Sequence, residues 1–279
     1  MLDSIDHIII AVEDLPSSIE DYSKILGIPP TWQGEHTGQG TENALFPLEN
    51  LYLELIAAKE EGTGAVTIKS FLELKGEGLF GIALGTTDIE AVQKDLVSKE
   101  VKVGELFHGE GTEVSQNTIR TWKNLLLPFS VTRGVFTLVI EHVSGLLPEH
   151  KETYKSPVRR LDHVVINTND PDGIISLYKD KYGIRLALDQ TVEQWGGRML
   201  FFRLNHTTIE VVGKENNQEI EDSLSGLAWV VDDLQATYNR LVTEGVEVTE
   251  VKKGRKTGTL VATIKSHTSN VPTLLIQHL

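Results

Sequence analysis

Apolar positions fall into short blocks of two kinds. Ile5–Glu13 (IDHIIIAVE) is nearly continuous and β-branched, interrupted by His7, which predicts a strand buried on both faces. Asp14 then caps a segment in which Ile19, Tyr22 and Leu26 lie on one helical face, with Pro16 in the first turn and Gly27 as the stop. A polar, Gly-rich loop is expected from Gln33 to Gly40, with a strand near Thr31 before it. Strands around Ala44–Pro47 and Leu51–Ala57 follow, joined at Glu49-Asn50. The block reads β-α-β-β-β.

The pattern returns three times. After a linker over 62–77 with a short helix (Ala65–Leu74), GLFGIALGTTDIEAVQKDLVSKEVKV is again strand, Asp88 cap, helix and strand. Strands at Val114–Trp122, Leu125–Ser130 and Phe136–Val143 complete this second unit. LDHVVINTNDPDGIISLYKDKYGI from Leu161 repeats IDHIIIAVEDLPSSIEDYSKILGI from Ile5, pairing His7 with His163, Asp14 with Asp170, Tyr22 with Tyr178 and Gly27 with Gly183 at a constant offset of 156. A fourth copy starts at Gly226, and its ending, Thr273–Leu279, matches Thr137–Val143. The chain is therefore divided into a first domain, 1–143 (units 1–61 and 78–143), a linker, 144–157, and a second domain, 158–279 (units 158–213 and 224–279).

Bulk properties narrow the function. The 279 residues suit two domains of about 140 each. A net charge of -14 argues against nucleic acid or an anionic membrane as partner. With no cysteine, thiolate catalysis, disulfides and Cys-ligated zinc are excluded. No apolar run approaches a membrane span, and no secretory signal is evident, so a soluble cytoplasmic protein is expected, with room for self-association. Gly76–Gly81 matches G-x-G-x-x-G formally, but it leads into a strand instead of a helix and is rejected as a dinucleotide site.

The Asp-His-Ile/Val first strand, the Asp-led helix, its closing Gly and the Glu-bearing last strand of each odd unit resemble the vicinal-oxygen-chelate superfamily: glyoxalase I, extradiol dioxygenases, epimerases and bleomycin-resistance proteins. More narrowly, Ile119–Trp122 followed by Leu127-Pro128-Phe129 is similar to segments of the glyoxalase-like domain group. This resemblance implies an α+β fold in which four βαβββ units pair into two cupped, partly open mixed β-barrels with flanking helices. Pairing of unit one with unit two or with unit four is left open. Members that use a metal draw ligands from the first and last strands of each unit. Carried over by position, these are His7, Glu54 and Glu141 in a first site, and His163, Glu210 and Gln277 in a weaker second one. Gly81 and Gly226 stand where further ligands would fall. The His-to-Glu spacing is 47 residues in both halves. One histidine with two carboxylates suits a divalent ion such as Zn, Mn, Fe or Ni.

Three functions compete on this basis. The first is a divalent-metal-assisted isomerase, lyase or related enzyme on a small oxygen-rich molecule, with Glu54 or Glu141 moving a proton. The second is a metal-independent protein that binds or sequesters a small molecule in the manner of bleomycin-resistance proteins. There His7 and Glu54 are a buried pair, and Trp32, Trp122 and Trp195 offer stacking surfaces. The third has one active and one degenerate domain. Of Arg120, Arg133 and Arg198, which could each grip a carboxylate, Arg120 is the candidate. His142 and His278, following the presumed ligand positions, are expected on the outer strand face.

Overall fold

In the computed structural model, residues 1–115, 118–150, 155–192, 197–214 and 219–279 are described. The first half runs β1 (Ser4–Ala11), α1 (Leu15–Leu26), β2 (Trp32–His36), β3 (Thr41–Pro47), β4 (Tyr52–Ala58), α2 (Thr63–Lys75), β5 (Gly78–Gly85), α3 (Ile89–Ser98), β6 (Leu106–Glu113), β7 (Ile119–Leu127), the single turn α4 (Phe129–Thr132) and β8 (Phe136–Ser144). Its strands close into a barrel in the order β1-β4-β3-β2-β6-β7-β8-β5. The first β-α-β-β-β unit thus pairs with the second: β1 lies between β4, parallel to it, and β5, antiparallel to it.

The second half contains β9 (Val158–Thr168), α5 (Pro171–Ile175) continuing as a π-helical turn over Ser176–Lys181, β10 (Arg185–Val192), β11 (Gly197–Leu204), β12 (Thr207–Gly213), β13 (Asp222–Val231), α6 (Leu234–Thr243), β14 (Lys252–Lys253), β15 (Thr259–Ile264) and β16 (Thr273–His278). These strands form one sheet in the order β10-β11-β12-β9-β13-β16-β15-β14, which stays open. Its two edges explain why. β10 is largely exposed, and β14 has only two residues, so neither presents a ladder long and apolar enough to seal the gap.

Helix starts are set locally. Asp14, Asp88, Asp170 and Asp233 each accept a hydrogen bond from a backbone N–H of the first turn, and Gly27 ends α1 at φ 68°. On β1 the pleat sends Ile8 and Ile10 into the core beneath the helices, where they join Leu53, Leu55, Tyr22 and Leu26. His7 and Ile9 point the other way, into the barrel. α2 packs against β4 and β1, and its Ile68 and Phe71 meet Ile9, Phe80 and Phe136 in a second, smaller apolar cluster.

Some element expectations change. The loop expected from Gln33 includes most of β2, because inward Trp32 alternates with Gly34 and His36 and leaves almost no hydrophobic signal. The strand expected after α3 at Val101–Val103 is irregular chain, and those expected at Val114–Trp122 and Leu125–Ser130 give way to the single β7, with β6 ahead of it. The Gly- and Glu-rich β6 is legible only through its pairing with β2 and β7. The halves share one apolar core cluster, and between them Arg133 pairs with Asp222 (2.7 Å) and the Tyr22 hydroxyl donates to the Thr268 carbonyl (2.9 Å).

Candidate functional site

β1 and β4 run side by side, so His7 and Glu54 come together on the inner barrel wall. His7 is 4% exposed and Glu54 5%. The His7 ring stacks on Tyr52, with centroids 4.5 Å apart. Its Nδ1 lies 2.7 Å from Asp6 Oδ1 and its Nε2 3.3 Å from Glu54 Oε2. Burial pushes the Asp6 carboxyl upward. Hydrogen bonds from His142 (2.9 Å) and His7 outweigh that and hold it well below the usual carboxylate range. An ionised Asp6 only accepts, so His7 Nδ1 carries the donated proton. Nε2 therefore faces a carboxylate oxygen, and a contact between two acceptors is stable only with a proton or cation shared between them.

Glu54 is held from its other side. Asn43 Nδ2 donates to Glu54 Oε1 (2.7 Å) and lies 3.2 Å from His36 Nε2, while His36 Nδ1 is 2.8 Å from Thr41 Oγ1. Burial lowers the His36 pKa, against the pull of the Glu54 charge, so His36 is neutral near pH 7 and its Nε2 accepts from Asn43. The result is a buried polar chain from Asp6 through His7, Glu54 and Asn43 to His36. Burial, with the charges of Asp6 and Glu54, also raises the Tyr52 pKa far enough that the phenol keeps its proton.

This chain forms one wall of a cavity of about 800 Å³, a volume suited to a small organic molecule. Ile9, Ile68, Phe80, Phe136 and Leu138 line the apolar part. The indoles of Trp32 and Trp122 have room only because glycines lie beneath them: a Cβ at Gly34 would sit 2.4 Å from Trp32 Nε1, and one at Gly109 2.1 Å from Trp122 Nε1. Arg120 also lines the cavity and is 5% exposed, with its Cζ 5.4 Å from the Trp32 ring and 5.7 Å from the Tyr52 ring. Arg133 and Arg198 are committed within the protein, the first to Asp222 and Asp170, the second to Asp189 and Asp172.

Of the residues singled out from sequence, His7, Glu54, Trp32, Trp122 and Arg120 come together in this cavity. Glu141 does not. On β8 the inward residues are Phe136, Leu138 and Ile140, and strand alternation turns Glu141 outward. There its Oε2 accepts from the Ile89 N–H at the start of α3 (2.8 Å), and its Oε1 lies 3.5 Å from Lys123 Nζ. Gln277 does the same in the second half, accepting from Leu234 N at the start of α6 (2.9 Å). The face assignment for these strands is thus reversed. His142 and His278, expected outside, reach back to Asp6 and Asp162.

The metal donor set does not fit. A side chain at Gly81 would run into Phe136, whose Cδ1 lies 2.5 Å from the Cβ position, and Glu141 faces away. His36 supplies a second imidazole, but it approaches Glu54 Oε1 (3.6 Å) while His7 approaches Oε2. Among the described residues no three His, Asp or Glu side chains are arranged to hold a metal.

In the second half His163 Nε2 is 3.5 Å from Glu210 Oε2, but both side chains are about one-fifth exposed, and neither lines the 800 Å³ cavity. Burial raises the Glu210 pKa, with His163 opposing. Trp195 lies outside the described residues. Sequence reading missed His36 and Asn43. The available signal was the alternation Trp32-x-Gly34-x-His36 and Thr41-x-Asn43-x-Leu45.

Comparison with known proteins agrees with this architecture. The family model described as a glyoxalase-like domain matches residues 5–182. A second, described as the glyoxalase/bleomycin resistance protein/dioxygenase superfamily, matches residues 162–263. No curated protein matches significantly. Among solved structures, a xylose isomerase-like TIM barrel/4-hydroxyphenylpyruvate dioxygenase fusion protein aligns at TM-score 0.67 and 14% identity over 100% of this chain; the chain spans 49% of its length. A mutant of 4-hydroxymandelate synthase from Streptomyces coelicolor aligns at TM-score 0.68 and 14% identity, covering 99% of this chain and 92% of that one. A hypothetical protein from Staphylococcus aureus aligns at 0.64 and 15%, over 99% and 98%. At these identities the likeness concerns the fold.

Proposed function

The chain belongs to the glyoxalase-like domain family, and on that premise we propose that its first barrel takes up a small oxygen-bearing molecule and moves a proton on it, in an isomerase- or lyase-type step. The observation that carries the reading is the Asp6–His7–Glu54 alignment, with His7 Nε2 3.3 Å from Glu54 Oε2 at the wall of a cavity of about 800 Å³. Glu54 is the base that accepts a proton from the ligand. His7, oriented through Nδ1 by Asp6, gives up or takes back the proton at Nε2. Asn43 holds the Glu54 carboxylate, and the protonated Tyr52 stacks on His7 and fixes the plane of its ring. Returning the proton at a neighbouring atom completes an isomerisation; loss of a leaving group completes a lyase step.

The donor set described above supports a route carried by side chains. Zn, Mn, Ni or Fe(II) added to the apo protein is expected to leave the melting temperature unchanged, because an ion held only by the folded state would raise it. The test is solvent-deuterium incorporation into small carbonyl and hydroxy acids, followed by NMR with chelator present. Glu54→Gln should slow exchange by about 10²–10⁴-fold without unfolding the protein. Exchange that survives in Glu54→Gln, or that needs added metal, contradicts the proposal. Binding with no exchange at all would favour sequestration, the reading that the aromatic walls Trp32 and Trp122 support.

A further inference from the structure

Arg120 is a buried charged residue of the cavity that the proton-transfer reading does not use, and its surroundings specify a ligand. A guanidinium is charged at all relevant pH values and is costly to bury unless paired. At 5% exposure Arg120 is as buried as Glu54, yet among the described residues no carboxylate lies within 4 Å of it, and its buried Nε has no hydrogen-bond partner in the protein. Arg133 and Arg198, by contrast, sit on two carboxylates each. Trp32 and Tyr52 lie against the guanidinium, an arrangement that favours the cation and leaves N–H groups for a partner from the cavity.

Two further orphans share the space. Asn43 Oδ1 and Asn124 Oδ1 are buried acceptors without a donor, and both residues line the cavity. Phe80, Phe136 and Leu138 give the same cavity an apolar stretch of wall. We infer that Arg120 anchors the carboxylate of the ligand, and that the cup takes a monocarboxylic acid with an apolar, flat body and a hydroxyl or N–H near the acid group. Charge decides for a monoanion: a single guanidinium faces it, and Glu54 nearby would repel a phosphate dianion. Because Tyr52 stacks on His7, an acid seated on Arg120 brings its α-carbon toward the His7–Glu54 pair. This rests on the first barrel being the functional site.

The test uses 2-hydroxy-2-(2-naphthyl)acetic acid and its uncharged methyl ester as probes, titrated by calorimetry into the full-length protein. Wild type should prefer the acid by about tenfold or more. Arg120→Met should abolish that preference, and Arg120→Lys, which keeps the charge but not the fork, should retain part of it. Ligand-free Arg120→Met should also melt at or above the wild-type temperature, since an unpaired buried charge has been removed at the expense of binding. A residue with a merely structural role would lower it. Equal affinity of wild type for acid and ester overturns the inference without any variant. So does a preference that persists in Arg120→Met, or failure of both probes to bind. Deuterium exchange is read separately: acid-selective binding without exchange leaves the carboxylate anchor standing and removes the proton-transfer reading.

Discussion

At the scale of single residues, Glu54 is the centre: His7 and Asn43 both engage its carboxylate, and His36 is held against it through Asn43. His36 gives this cluster a pH signature. Its folded pKa lies below the ordinary 6.5 because burial disfavours the cation. The unfolded chain therefore binds the proton first as pH falls. The His36 contribution to stability is present above about pH 6.5 and is lost on acidification toward its lower folded value. Thermal melts between pH 7 and pH 5 should show this fall, and His36→Gln should flatten it; an unchanged slope would place His36 in water. The histidine escaped the sequence reading because β2 carries a single large apolar residue, Trp32, and two neighbours that give no strand signal. His7 and Glu54 were legible because each interrupts a strongly apolar strand, where a charged group has to be paired or functional.

At the scale of elements, alternation along β8 turns Glu141 outward, where the resemblance had implied an inward ligand. Glu141 serves the first turn of α3, so Glu141→Ala should cost about 1 kcal/mol of stability, as loss of a helix-terminal acceptor does. Ligand binding in the barrel should not change; a large loss of binding would return Glu141 to the site. Strand existence and type were readable where a β-branched run is buried on both faces, as in β1, and where its repeat recurs, as in β9, which keeps one face buried. Inner-face parity was not, since one residue of register reverses every side chain. The glycines of β6 are a second element-scale feature. Gly109→Ala would push a methyl into Trp122, and is expected to weaken probe binding more than it lowers the melting temperature, checked by calorimetry beside a thermal melt.

At the scale of the whole molecule, the four-unit plan was legible from recurrence, while the pairing of units into cupped barrels was implied by the resemblance to the vicinal-oxygen-chelate superfamily. The contrast between a closed first barrel and an open second sheet was not. It depends on whether the outer strands can meet, and that is set by the exposed β10 and the two-residue β14. The halves are tied through Arg133, which reaches from the end of α4 to Asp222 and Asp170 across the boundary. Asp222 is 1% exposed, so Arg133→Ala leaves a buried carboxylate without its cation and should cost about 3–5 kcal/mol, measured by denaturant unfolding. A shift under 1 kcal/mol would mean that water replaces the guanidinium there.

The second half keeps a His163–Glu210 pair at the offset of the first, but partly exposed and outside the large cavity. The most direct measurement is therefore deuterium exchange compared in one assay among wild type, Glu54→Gln and Glu210→Gln. The account predicts loss of exchange in Glu54→Gln and wild-type rates in Glu210→Gln. Equal losses in both, or loss only in Glu210→Gln, would contradict it.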